Sequence, residues 1–243
     1  MSNDVNLSQI IFLDIETVPE KPKFADIDDE WQKLWQKKVD SLSKYYPEEV
    51  EQDNMYQRAG IYSEFGRIVC ISLGVCYTQD GDTKLRIKSF SGDDECQLLT
   101  EFNAMLDEHF FKKYHYLCAH NGQEFDFPFI CRRSILNGLP LPKGLQIMGN
   151  KPWENRHLID TMRLWAFGDF KNFTSLELLA KSFGLPSPKD DISGADVYRV
   201  FYEENDLKRI VEYCQLDVQT LVNVYCSLMG KPPIPDEHVT FST

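Results

Sequence analysis

Histidine is scarce in this chain and cations are outnumbered. Among 243 residues there are 5 His, and 26 Lys and Arg stand against 38 Asp and Glu, for a net charge of −12. That balance excludes a protein that coats nucleic acid electrostatically, because neutralising phosphates takes Lys and Arg. It leaves room for an enzyme that grips a few nucleotides in a local pocket. No apolar run approaches the roughly 18 residues of a membrane span. The opening "MSNDVNLSQI" lacks the basic and apolar regions of a secretory signal. No cysteines are spaced CxxC, and their number, 7, is odd. Cys70, Cys118 and Cys226 sit in apolar surroundings. The cysteines are therefore expected to be reduced core thiols of a cytoplasmic protein, not zinc ligands or disulfides.

What is present suffices for a sizeable core, since 42% of residues are apolar and 13% aromatic. With no repeats, a single domain over 1–243 is expected. The run Gln9–Leu13 reads as a buried strand. Residues 21–60 are polar, with Trp31, Leu34, Trp35, Val39 and Leu42 at helical spacing, which predicts an inserted helix or helical pair laid across the sheet. A hairpin follows, "GRIVCISLGVCYT" and "TKLRIKSF" around an Asp-Gly-Asp turn. Then come a capped helix from about 94, a strand at 114–121, a helix ending at Asn137-Gly138 and a strand entering a helix at "RHLIDTMRLW". A helix "SLELLAKSFGLP" and a long helix from about Asp206 to Met229 complete the order. It predicts an α/β fold, a mixed sheet of about five strands flanked by helices, whose first three strands run antiparallel.

Against that frame some acids are out of place. In "IIFLDIETVPE", Asp14 and Glu16 end a core strand, although acids are depleted in strands and a buried carboxylate must be paired or bound to metal. Asp126 stands just past another strand end, in "HNGQEFD". In "YCQLDV", Tyr213 and Asp217 are spaced i and i+4, so they share one face of the last helix. Four carboxylates from separate segments, with no cysteine ligand and little histidine, form a hard oxygen set. Such a set suits Mg²⁺ or Mn²⁺ and not Zn²⁺. Two such ions could clamp the attacking and leaving oxygens of a phosphodiester.

The three stretches "FLDIETVP", "HNGQEFDFPFI" and "YCQLDV" resemble the exonuclease motifs of the DEDD (DnaQ-like) 3′–5′ exonucleases, which have an RNase H-like fold. The tyrosine four residues before the last Asp is similar to the DEDDy branch. The form of the second motif is most similar to the proofreading domains of family B DNA polymerases and to stand-alone predicted exonucleases related to them. The resemblance spans about residues 9–229. It implies that Asp14, Glu16 and Asp217 hold one divalent cation and that Asp14 and Asp126 hold a second. Tyr213 would orient the attacking water, since a phenol is a poor base at neutral pH. It also implies that Thr17 and Asn121 contact the terminal nucleotide. Lys189, in "KDDISG", resembles a lysine of some family B polymerases that would steady phosphate charge. The implied activity is removal of nucleotides from single-stranded DNA 3′ ends, with any polymerase or repair partner acting in trans. RNA or short oligonucleotides as substrates, and a silent end-binding module, are the alternatives.

Each residue also has a plainer reading. Asp126 alone would be a helix N-cap, and Tyr213 a core aromatic with a wet hydroxyl. Asp160, in "LIDTMRL", reads as a helix cap, and His120 and His157 as packed histidines. Trp31 and Trp35 read as core before they read as a base-stacking platform.

Overall fold

The computed structural model describes residues 5–42, 52–169, 173–186 and 192–242. The chain forms β1 (Ile10–Pro19), α1 (Asp29–Leu42), α2 (Gln52–Gln57), β2 (Gly66–Gln79), β3 (Asp82–Ser91), α3 (Glu95–His109) and β4 (Tyr116–Ala119). It continues through α4 (Asp126–Leu136), β5 (Leu158–Asp160), α5 (Thr161–Ala166), α6 (Leu176–Ser182), α7 (Val197–Tyr202), α8 (Leu207–Leu228) and β6 (Val239–Ser242). The six strands make one sheet in the order β5-β4-β1-β2-β3-β6. The β1–β2 and β2–β3 pairs are antiparallel, as expected, whereas β1–β4, β4–β5 and β3–β6 are parallel.

This is the mixed α/β sheet flanked by helices that an RNase H-like reading expects, with one strand more. The extra strand, β6, is four residues long and largely exposed. Its Val-Thr-Phe-Ser alternates, but four residues are too few to mark a strand in sequence, and only Val239 packs against the core on the α8 side. β1 is also longer than its apolar run. Asp14 and Glu16 lie inside the strand and not beyond its end.

Alternation along β1 sorts its side chains into two cores. Ile11, Leu13 and Ile15 face Leu98, Leu99 and Phe102 of α3 and Ile130 of α4. Ile10 and Phe12 face the opposite layer, packing against Val218, Leu221 and Tyr225 of α8. α8 is apolar over most of its length, and the Asp206 side chain caps it by accepting from the Arg209 N–H. A third cluster joins Val18 to α7 and to Ile210 and Val211 of α8.

The insertion does not lie across the sheet. It builds a small core of its own from Trp35, Val39, Met55, Tyr56 and Ala59. It then docks on the end of β1 through a 3₁₀ turn at Arg58–Ile61. Trp35 is buried, but Trp31 is 42% exposed, edge-on to Phe65. Within the insertion, residues 43–51 lie outside the described residues. All seven cysteines are unbridged and all but Cys96 are buried. No helix of the described residues is long and apolar enough to cross a membrane.

Candidate metal centre and cleft

β1, β4 and β5 are parallel, so their C-terminal ends come to one edge of the sheet. In open α/β sheets that edge is where ligands bind. Asp14 and Glu16 are two residues apart on β1, so both side chains turn to the face covered by α8. Across the β1–β2 ladder they stand opposite the small residues Ser72 and Cys70, which leaves room above them. The register shifts between Glu16 and Thr17, and such a bulge re-aims the side chains beside it. α8 presents Tyr213 and Asp217 to the same space, one turn apart, and the Tyr213 hydroxyl donates to the Asp217 carboxylate.

Asp126 arrives from the other layer. It is the first residue of α4, with Phe125 in the cap position, so the N-cap reading does not hold. Its carboxylate accepts from its own N–H and from the N–H of Ile15, which ties it to β1 between the other two acids. Glu16, Asp126 and Asp217 are buried and Asp14 is half-buried.

The electrostatics report the convergence. Burial raises Asp14 well above the usual carboxylate range, and the like charges of Asp126 and Asp217 raise it further. Glu16 is raised in the same way, by burial first and then by Asp14 and Asp217. Asp126 is pushed up to about 7 by burial, with Asp160 adding to it and the two backbone N–H groups opposing. Tyr213 is pushed far above an ordinary phenol by burial, then by Asp217, Glu16 and Asp14. Carboxylates brought together in this way disfavour one another's ionisation, and a cation among them reverses that.

One member of the group was not expected. The Cys214 thiol, between Tyr213 and Asp217 in sequence, donates to the Asp14 carbonyl at 3.4 Å and to Asp14 Oδ2 at 3.5 Å. Donor atoms of Asp14, Glu16 and Cys214 all lie within 4.8 Å of one another. The set therefore includes a thiol, held protonated by burial, which raises it well above the usual range. The signal was available, since a cysteine three residues before Asp217 shares its helix face.

Asp160 reaches further than a cap. It caps α5 by accepting from Met162 and Arg163 N–H, at 3.0 and 3.3 Å. It also accepts from the N–H groups of Asn121 and Gln123, at 3.0 and 3.1 Å. One buried carboxylate thus clamps the loop that leads to Asp126. Asn121 needs that support, because its φ of +60° is left-handed backbone. His120 is a packed histidine, held by Thr161 and the Thr174 carbonyl. His157 bonds the Gly144 carbonyl.

Thr17 is half-buried and lines a cleft of about 620 Å³ beside Glu16. Phe125 lines it from the second motif, Arg58 and Ile61 from the insertion, and Tyr198 from α7. Lys189 lies outside the described residues. The structure therefore brings together Asp14, Glu16, Asp126, Tyr213 and Asp217, opens a cleft at Thr17, and sets Asn121 in the clamped loop.

Residues 61–231 match the family described as "Predicted 3′-5′ exonuclease related to the exonuclease domain of PolB". The matched stretch takes in Asp126, Tyr213 and Asp217 and leaves out Asp14, Glu16 and most of the insertion. Among solved structures, the chain is similar to the family B DNA polymerase from the hyperthermophilic archaeon Pyrobaculum calidifontis, at 15% identity and a TM-score of 0.49. That similarity covers 92% of this chain and 26% of the polymerase, so the chain spans about a quarter of the polymerase's length. A comparison with curated proteins finds no match.

Proposed function

The chain belongs to the family of predicted 3′–5′ exonucleases related to the exonuclease domain of PolB, and from that premise we propose that it is itself a divalent-metal-dependent 3′–5′ exonuclease acting on single-stranded DNA ends. The observation that carries this reading is the convergence of four carboxylates and one tyrosine from β1, α4 and α8 on the cleft edge of the sheet.

The donor set fits Mg²⁺ or Mn²⁺, because four carboxylates supply hard oxygens. The adjoining thiol is held protonated and occupied as a donor to Asp14. Asp14, Glu16 and Asp217 would hold one ion, and Asp14 and Asp126 the other. When bound, such ions supply the charge that activates a water and steadies the leaving oxygen. The chain's own residues do the rest. Tyr213 stays a phenol, since its raised pKa bars it from acting as a base, and its hydroxyl aims the attacking water. Thr17, on the cleft wall beside Glu16, contacts the terminal nucleotide. Asn121 shapes the loop that delivers Phe125 and Asp126. Water attacks the last phosphorus and the bond to the preceding 3′ oxygen breaks, which releases a nucleotide and a new 3′ hydroxyl.

The charge of −12 favours a second substrate class, short oligonucleotides of DNA or RNA, because a long strand needs an extended basic track. The test uses 5′-labelled single-stranded DNA, duplex DNA, RNA and short oligonucleotides, each with Mg²⁺ or Mn²⁺. A ladder shortening from the 3′ end is expected, fastest on single-stranded DNA. Faster hydrolysis of the short or RNA substrates would reassign the polymer. Binding without shortening, with either ion, would make the chain an end-binding module instead.

A further inference from the structure

The insertion has no part in the chemistry described above, yet it forms one wall of the cleft. Its 3₁₀ turn runs from Arg58 to Ile61 and ends where the family match begins. The turn is fixed against β1 beside the acids. A Cβ on Gly60 would lie 3.1 Å from the Val18 backbone, and one on Gly66 would lie 2.6 Å from the Gly60 carbonyl. Gly60 therefore lets the backbone of the turn touch the backbone of β1, one residue past Thr17, and Gly66 lets the start of β2 close on the turn from the other side. The small core of Trp35, Met55, Tyr56 and Ala59 stiffens the turn from behind. Across the cleft, the Tyr198 hydroxyl donates to the Pro22 carbonyl at 2.6 Å, tying α7 to the start of the insertion.

Arg58 is the only Lys or Arg among the described residues that line this cleft, and Glu16 and Thr17 line it too. A phosphodiester entering beside Glu16 brings negative charge into an acidic site, in a protein of net charge −12. A cation carried on a rigid turn in the wall of the same cleft answers that charge, and guanidinium is the group best shaped to fork a phosphate. Ile61, 53% exposed beside it on the same turn, offers an apolar face to a base or sugar. We propose that the insertion is a substrate-binding wall and that Arg58 contacts a backbone phosphate of the strand whose 3′ end lies at Thr17. The inference deepens the exonuclease reading and rests on it.

The test measures binding apart from hydrolysis, in an Asp14→Ala background, with a short 5′-labelled oligothymidylate followed by fluorescence anisotropy. Arg58→Gln should weaken binding about ten- to hundredfold, the worth of one charge-assisted hydrogen bond. The plot of log affinity against log salt should flatten by about 0.7, the value for one single-strand phosphate. Arg58→Lys keeps the charge, so it should keep the salt slope while losing part of the affinity. It also serves as the reporter should Arg58→Gln prove unstable. With Asp14 restored, Arg58→Gln should raise KM and leave kcat close to the parent's. Equal affinity and equal salt slope in parent and Arg58→Gln would overturn the phosphate contact alone and leave the exonuclease reading standing. A background protein that binds no oligonucleotide at any salt would overturn both.

Discussion

Buried carboxylates lie on both faces of one sheet, a single one on one face and a group on the other, and they are neutralised in different ways. On the α3 and α4 side, Glu95 meets Arg133 in a forked pair, Nε to Oε1 at 2.9 Å and Nη2 to Oε2 at 2.5 Å. Glu95 also accepts from the Ile68 N–H and the Asn137 amide. Arg133 donates in addition to the Ser63 carbonyl and to Glu20. Each carboxylate oxygen of Glu95 and each guanidinium nitrogen of Arg133 has a protein partner, and the network joins α3, α4, β2 and the end of the insertion. On the α8 side, burial raises Asp14, Glu16 and Asp126, the charges of Asp126 and Asp217 raise Asp14 further, those of Asp14 and Asp217 raise Glu16, and no Lys or Arg among the described residues offsets these shifts. A buried acid with its cation built in is architecture. A group of buried acids without one is a place for something that arrives.

The contrast can be broken from either side. Asp14→Ala removes a carboxylate common to both implied ions, so hydrolysis should fall to the limit of detection while the fold persists. Product-ladder rates checked by circular dichroism would show this. The same loss of repulsion should leave the metal-free protein as stable as the parent or more so. Arg133→Met has the opposite signature. It strands Glu95 in the core, at a cost of about 3–5 kcal/mol in urea unfolding, while the rate per folded molecule stays near the parent's.

Tyr213→Phe sharpens the comparison within the site. It keeps the ring and removes the hydroxyl bound to Asp217. By analogy with a lost oxyanion donor, the rate should drop on the order of 10²–10³, with metal binding intact in calorimetry. Asp160→Asn is milder. The amide keeps one acceptor oxygen, whereas the carboxylate's two oxygens accept from four backbone N–H groups. It should cost about 1–3 kcal/mol and speed hydrogen exchange at the Asn121 and Gln123 amides.

Much of the site was legible because its signals are local. Asp14 and Glu16 share a face by the period of a strand, and Tyr213 and Asp217 by the period of a helix, so each pair could be placed before any tertiary contact was known. The strand hairpin, the Asp94, Asp206 and Ser175 caps and the stop at Gly138 are local too. What escaped depends on parts of the chain far apart in sequence. Nothing around Asp160 says that it will hold a loop 39 residues upstream. The contact of Cys214 with Asp14 spans 200 residues. β6 is recognisable only once β3 lies beside it. The insertion's helical spacing foretold helices, but its docking on β1 follows from the close backbone approach at Gly60.

The claim that these acids await a cation is tested most directly by thermal unfolding across pH, with and without Mn²⁺, in the parent and in Asp14→Ala. Asp126 rises from 3.8 to about 7 in the folded protein, and Asp14 and Glu16 are raised with it. The metal-free folded state therefore holds more protons than the unfolded chain between about pH 4 and pH 7. Stability contributed below that window is lost as pH rises through it. The account predicts that the metal-free melting temperature falls across this range. Mn²⁺ should restore it at neutral pH by binding only the folded state, and Asp14→Ala should show a shallower fall and little response to the ion. A parent whose melting temperature is flat across the window and indifferent to millimolar Mn²⁺ would contradict it.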